Sequence, residues 1–532
     1  MVGEALLWLA GSLVLLLASV VDARLPDGRV HGNMAPTPSV PKAPVPNEDL
    51  PVTDRNGSTI PPYNTTYYFN QLIDHNNPSK GTFVQRYWHT WEFYESGGPI
   101  ILFTPGEVNA DGYYGYLTNG TINGRIAEQQ NGATIVLEHR FYGYSNPYNN
   151  LSVASLQVHT IEQAIQDLVY FAYNVDFPMP GGDSVDPDEA PWILIGGSYS
   201  GALTSFTVVN QPDVFRAAYA SSAVVESIVD YWGYFEPISD YMPENCSADV
   251  EAVIAYIDQT FNNGTEDEIN SIKELFNMNL THLDDFAGAL RNNLWDWQSL
   301  QPDSGPDQQF FQFCDALEVK DGVSAPASGW GLEHALNAWG TYWANTYYYF
   351  ICGDYDAETC LGTYDSTESY FTSIAIDDST RSWEWIVCNY MGFLQDGAPL
   401  DHPTLVSRLI QPIYDERQCT YFFPEQFSSP PTPDVNATNA AYDGWYVDVD
   451  RLFFANGQRD PWREATVSAD GQDFQSTPWQ PIVEGNGYHC SDLLTGNAEV
   501  DETIAAVQAE GLAAMAVWLE GWEPRSVASS RR

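Results

Sequence analysis

Apolar and polar positions along this chain follow two rhythms. Short unbroken apolar runs at residues 99–103, 133–137, 192–195 and 216–220 have the composition of strands buried on both faces of a sheet. Between them, residues 160–175 set Ile161, Ala164, Ile165, Leu168 and Phe171 or Ala172 on one stripe at three- and four-residue spacing, which predicts an amphipathic helix. Strands alternating with helices predict a parallel sheet covered on both faces. The rhythm breaks over 225–443, where helical stretches such as 249–261 and 266–276 and many aromatics stand without strand spacing. It returns at 451–455 and closes on an Ala-rich helix over 502–519. Crossovers between parallel strands can have any length. The pattern therefore predicts an α/β fold whose core, 52–224 and 444–525, is interrupted by a largely helical insertion at 225–443.

The ends of the chain read differently. An apolar run over 5–21 stops at Val21-Asp22-Ala23, the form of a signal peptide covering 1–23. Its leading residues carry Glu4 and no Lys or Arg, which leaves a signal anchor as the alternative. Residues 24–51 are rich in Pro and Asn, lack periodicity and are expected to be a propeptide or an unstructured arm; residues 526–532 form a short tail. No later stretch approaches the ~18 apolar residues of a membrane span. Asn-x-Ser/Thr sequons at Asn56, Asn64, Asn119, Asn150, Asn245, Asn263, Asn279 and Asn436 suit a secretory, glycosylating route. The expected location is extracellular, with a vacuolar or lysosomal one as the alternative.

Charge narrows the partners. Lys and Arg number 21 against 71 Asp and Glu, and a net charge of −50 offers no electrostatic footprint for nucleic acid or anionic lipid. Much of that repulsion disappears as carboxylates protonate near pH 4, so greater stability in mild acid is expected. The seven cysteines form no Cys-x-x-Cys pair and do not cluster with histidines, so neither a zinc site nor another metal or cofactor is expected. Six of them, Cys246 to Cys419, read as three bridges inside the insertion, with pairing open and Cys490 left over.

The sharpest motif is Gly196-Gly197-Ser198-Tyr199-Ser200-Gly201, directly after one strand and before an apolar helical segment. A tight strand-to-helix turn of small residues projects a serine hydroxyl above the sheet, although Ser200 stands where glycine is usual. A bland Gly/Ser loop is the competing reading of the motif alone. Serine needs a base and an orienting carboxylate, and in α/β-hydrolases these follow in the order acid, then histidine. Of the downstream histidines, His282, His334 and His402 fall in the insertion, whereas His489 sits in a Gly-rich loop beyond the last strand. Asp460, in Asn456-Gly457-Gln458-Arg459-Asp460-Pro461-Trp462, follows the strand at 451–455. Singly, a turn Asp and a solvated His are ordinary; in this order with Ser198 they make a triad.

These motifs, with Gly487-Tyr488-His489-Cys490-Ser491-Asp492-Leu493, resemble the serine peptidase family of lysosomal Pro-Xaa carboxypeptidase and dipeptidyl-peptidase II. The similarity is nearest to the fungal secreted acid prolyl endopeptidases. It extends through Phe69-Asn70-Gln71-Leu72-Ile73-Asp74-His75, Phe103-Thr104-Pro105-Gly106-Glu107, Glu138-His139-Arg140-Phe141-Tyr142-Gly143 and Ser382-Trp383-Glu384-Trp385. The resemblance implies an α/β-hydrolase core with an inserted helical cap of the SKS type, acid activity and cleavage after proline in peptide or protein substrates. It also implies an oxyanion hole from the N–H of Tyr199 and one from the Gly106-Glu107 loop, and a proline pocket lined by Trp462. Core packing is the competing role for Trp462, and Glu107 is a candidate contact for a substrate amino group or a structural part of its loop.

In the implied mechanism Ser198 attacks the carbonyl of the P1 proline, His489 moves the proton, and water hydrolyses the acyl-enzyme. A His beside Asp⁻ has a raised pKa, so at acid pH either Arg459 or Arg463 depresses it or a small neutral fraction works. Three alternatives stay open: a prolyl exopeptidase, a lipase or esterase, and a catalytically silent binding ectodomain. The oligomeric state is not legible.

Overall fold

The computed structural model describes residues 25, 29–45, 50–472 and 474–525. The signal segment at 1–23 and the tail at 526–532 lie outside the described residues. Within them, an eight-stranded sheet is built from β1 (Thr66–Leu72), β2 (Thr82–Thr90), β3 (Ile100–Thr104), β4 (Ala133–Leu137), β5 (Trp192–Gly197), β6 (Ala217–Ser221), β7 (Leu452–Gly457) and β8 (Ile482–Gly485), in the order β1-β2-β4-β3-β5-β6-β7-β8. From β4 to β8 all neighbours are parallel, while β2 runs antiparallel to both β1 and β4. This is the α/β-hydrolase architecture. Residues Ile100, Leu102, Ile193, Leu194 and Phe453 are wholly buried, as expected of strands covered on both faces.

Three strands were not legible from periodicity. In β1 and β2 the buried positions include Gln71 and Gln85, whose amides hydrogen-bond to each other at 3.0 Å, so polar residues occupy core positions and mask the alternation. The third, β8, is a four-residue edge strand with three of its residues incompletely buried.

Helix α1 (Ile161–Asn174) starts where the Thr160 side chain accepts from Gln163 N, and α2 (Tyr199–Asn210) follows β5 without a connecting loop. Between β6 and β7 the chain is mainly helical. It includes α3 (Glu244–Asn263), which begins directly after Pro243, and α4 (Glu266–Leu275), which opens on a capping box of Thr265 and Glu268. The region also holds two small ladders that the sequence did not suggest, one pairing 228–230 with 392–394 and one pairing 319–320 with 323–324. Its bridges are Cys246–Cys314, Cys352–Cys360 and Cys388–Cys419, and Cys490 is unpaired and buried. The last helix, α5 (Glu502–Leu519), packs back on the sheet.

Residues 29–45, expected as a propeptide or an unstructured arm, have no helix or strand. They are nevertheless packed: His31, Asn33, Met34 and Val40 are buried.

Candidate active site

Strand β5 delivers Ser198 into a turn with φ 58° and ψ −129°. Such a backbone is costly for a residue with a Cβ and persists only where its surroundings enforce it. Here Ser198 N donates to Ser221 O on β6 and Ala202 N donates to Ser198 O, both at 2.9 Å. The turn also needs glycine: a Cβ on Gly196 would lie 2.1 Å from Ser200 O, and one on Gly201 would lie 2.7 Å from Ser221 O. Ser200, the departure from the usual motif, proves to be a tie. Its hydroxyl donates to Gly197 O at 2.8 Å and accepts from Gly197 N at 3.1 Å.

Because β5 to β8 are parallel, the residues after Gly197, Gly457 and Gly485 leave the same edge of the sheet. Asp460 and His489 meet there. The His489 Nδ1 lies 2.9 and 3.1 Å from the two carboxylate oxygens of Asp460, and Asp460 Oδ1 also accepts from Trp462 N at 2.9 Å. An ionised carboxylate only accepts, so it places the proton on Nδ1 and leaves Nε2 as the basic nitrogen. The histidine loop hangs on the same strand end as the serine turn. Cys490 N donates to Ser222 Oγ at 2.9 Å, and the Asp492 carboxylate accepts from Tyr219 OH at 2.8 Å and Ser221 Oγ at 2.6 Å. Ser198 Oγ and His489 Nε2 are both buried, and neither has a hydrogen-bond partner, so the bond between them is open in this resting geometry.

Burial opposes the imidazolium form of His489, but Asp460 beside it outweighs burial and holds its pKa well above the ordinary value; Cys490 acts in the same direction. The two arginines considered as depressing neighbours are turned to other partners. Arg459 donates to Asn486 Oδ1 at 2.9 Å and Tyr488 OH at 3.3 Å, and Arg463 pairs with Glu464 and Asp470.

The Gly106-Glu107 loop lies on the first turn of α2, since a Cβ on Gly106 would stand 3.1 Å from Ser200 Cβ. Tyr199 is the first residue of that helix, and its N–H therefore has no intrahelical acceptor. Gly106, Glu107 and Tyr199 thus flank the serine turn. The Glu107 side chain is fully buried with no hydrogen bond from another residue, and burial pushes its pKa up to about 8 against the opposing pull of its own backbone N–H and of His489. Below that pH it is a neutral acid rather than a fixed charge for an amino group.

Trp462 is buried, donates from Nε1 to Gln298 Oε1 at 2.7 Å, and has Tyr231, Tyr234 and Phe393 around its ring at centroid distances of 5.6, 5.3 and 5.3 Å. It also lines a cavity with Phe393 and Leu394. Gln298, Tyr231 and Phe393 lie between β6 and β7 and carried no sequence signal, because a lone Gln or aromatic residue so far along the chain from Trp462 has no spacing to read. Of the sequons, Asn56, Asn64, Asn119, Asn263, Asn279 and Asn436 are exposed, whereas Asn150 and Asn245 are partly covered.

Comparison with known proteins agrees with this geometry. The sequence profile of the family described as serine carboxypeptidase S28 matches residues 71–510. Serine protease vicPa of Bipolaris victoriae is 35% identical over 474 residues, covering 85% of this chain and 88% of that protein. A probable extracellular serine carboxypeptidase of Arthroderma benhamiae is 33% identical over 412 residues, 73% of this chain and 56% of that one. The thymus-specific serine protease of Homo sapiens is 24% identical, with 80% and 81% covered. Among the described residues no helix is long and apolar enough to cross a membrane.

Proposed function

Since the chain belongs to the serine carboxypeptidase S28 family and is a serine-type peptidase, we propose that it is a secreted endopeptidase that cuts peptides on the carboxyl side of proline in acid. Ser198 is the nucleophile, His489 the base and Asp460 the group that orients it. One observation carries this assignment: the Asp460–His489 pair at 2.9 Å stands at the sheet edge where Ser198 is held in its strained turn. Attack by Ser198 Oγ forms an acyl-enzyme, His489 passes the proton to the leaving amine, and water then releases the acid. The Tyr199 N–H and the Gly106-Glu107 loop face the oxyanion that develops. An aromatic wall of Trp462 and Phe393 suits the flat apolar pyrrolidine ring.

Acid operation is supported by the net charge of −50, whose repulsion is relieved as carboxylates protonate near pH 4. The raised pKa of His489 works against acid operation: only its neutral fraction accepts the Ser198 proton, a tenfold reduction per pH unit below that pKa, so turnover at pH 4 to 5 is the demanding test of the acid reading.

The test is mass spectrometry of products from an internally Pro-containing peptide with both ends blocked, from pH 4 to 8, beside Ser198→Ala and short acyl esters. Cleavage after proline in acid, lost in the variant, is the expected outcome. Inertness of the blocked peptide with cleavage of the free one would make it an exopeptidase, ester turnover alone a lipase or esterase, and an acidic limb above pH 6 would remove the acid assignment.

A further inference from the structure

The reactive groups of this peptidase are sealed. Ser198 and Asp460 have no exposed surface and His489 has 2%. A peptide bond cannot reach them as the chain stands, so whatever covers the edge must leave first.

Residues 29–45 cross that edge. On the insertion side, Gly32 N donates to Cys360 O at 3.0 Å, Asn292 Nδ2 donates to Gly32 O at 2.8 Å, and Asn33 Nδ2 donates to Asp285 O and Leu361 O at 2.9 and 2.6 Å. On the core side, Tyr113 OH donates to Val40 O at 3.3 Å and Tyr116 OH to Pro41 O at 2.7 Å. Between these anchors Met34, Ala35 and Pro36 line the same cavity as Trp462, Phe393 and Leu394. Gln298 joins the two directly: its Oε1 accepts from Trp462 Nε1 and its Nε2 donates to Thr37 O at 3.2 Å. Farther along, Val40 approaches so closely that a Cβ on Gly197, next to Ser198, would lie 2.7 Å from its Cγ1. On its other side the segment walls a second cavity with Val108 and Asn109, beside the Gly106-Glu107 loop.

We infer that residues 29–45 are an inhibitory strap lying in the substrate cleft of this same active site, so that the full chain is latent until the strap leaves. The inference rests on the reading of Ser198 as nucleophile. The strap has the chemistry of the class of substrate assigned above, a Pro-rich chain reading Met34-Ala35-Pro36-Thr37-Pro38-Ser39-Val40-Pro41 without helix or strand, with Pro36 lining the cavity of Trp462. A chain that enters from the insertion side and continues past the nucleophile on the core side also matches a cleft open at both ends, as internal cleavage requires. The anchors are hydrogen bonds through backbone and side chains, the His31–Tyr370 stack at 4.3 Å, and the burial of Met34, Val40 and Ala43 in the hydrophobic core, so a competing peptide must reproduce both sets to replace the strap.

The experiment reads the labelling rate of Ser198 by a fluorophosphonate in the full-length protein. In one form, residues 46–49 are replaced by the recognition sequence of an unrelated protease, so the strap is cut after folding and removed by gel filtration. A second form, Gly32→Val, keeps the chain whole and forces the strap outward, because the new Cβ would lie 2.7 Å from Leu361 Cδ2 and 2.9 Å from Cys360 O. Labelling at least roughly tenfold faster in both forms is expected. A synthetic 29–45 peptide should return the strap-free protein to the slow rate, and the same peptide with Asn33→Ala should do so less effectively. Equal labelling of the intact and strap-free proteins, or no effect of the peptide, would overturn the strap. Absence of labelling in every form would instead overturn Ser198 as nucleophile.

Discussion

Asp396 offers a direct measurement of how burial ties this fold to acid. Its side chain is wholly buried, neither oxygen meets a donor in the structure, and burial first, then the neighbouring Asp415 and Asp230, push its pKa up to about 9 against the pull of Arg291. An unfolded aspartate titrates near its ordinary value of 3.8. The folded chain therefore holds a proton that the unfolded chain has released, and stability falls as pH rises from the unfolded value toward the folded one. At pH 7 the interval is roughly three pH units at about 1.4 kcal/mol each, so the cost approaches ~4 kcal/mol; at pH 4 it is close to nothing. Asp396→Asn keeps the shape and a donor but cannot ionise. Guanidinium denaturation of the two proteins should give similar unfolding free energies at pH 4 and a variant more stable by up to about 4 kcal/mol at pH 7. The difference between the curves isolates this residue from the other acids. Parallel curves from pH 4 to 8 would show that Asp396 ionises freely in the fold and would refute the argument.

Asp460→Asn should preserve the fold and lower kcat by roughly 10⁴, because the amide no longer fixes the Nδ1 proton; single-turnover kinetics on a Pro-containing peptide check it. Cys490 is fully buried with its thiol pKa raised, so Ellman's reagent should detect no thiol in the native protein and one after denaturation. Gly196→Ala should cost several kcal/mol or prevent secretion, given the 2.1 Å approach of Ser200 O, and thermal melting of any secreted protein measures it. His31 in the strap is buried against Tyr370, and burial followed by Arg29 holds its pKa down at about 3; Asp285, Glu368 and Arg417 are the charges that act on Tyr370. A free peptide protonates near pH 6.5, so affinity of the 29–45 peptide for the strap-free protein should weaken by up to about tenfold per unit below that pH, and His31→Phe should flatten the dependence.

The strand at 192–195, the glycine turn around Ser198 and the amphipathic stripe of α1 were legible because each is enforced locally: burial on two faces, a backbone that excludes side chains, and a 3.6-residue period. Order along the chain pointed to Asp460 and His489 among many acids and nine histidines, and the fold sets the two 2.9 Å apart. Packing between distant segments was not legible. The polar pair Gln71–Gln85 hid two strands, and the Cys246–Cys314 and Cys388–Cys419 bridges, the aromatic surround of Trp462 from Tyr231 and Phe393, and the bridge through Gln298 depend on contacts spanning tens to hundreds of residues. Residues 29–45 make the distinction sharpest. By themselves they are a Pro-rich stretch without periodicity, and what holds them is donors from Asn292, Gln298, Tyr113 and Tyr116 and the acceptor carbonyl of Cys360, which only the folded chain brings together.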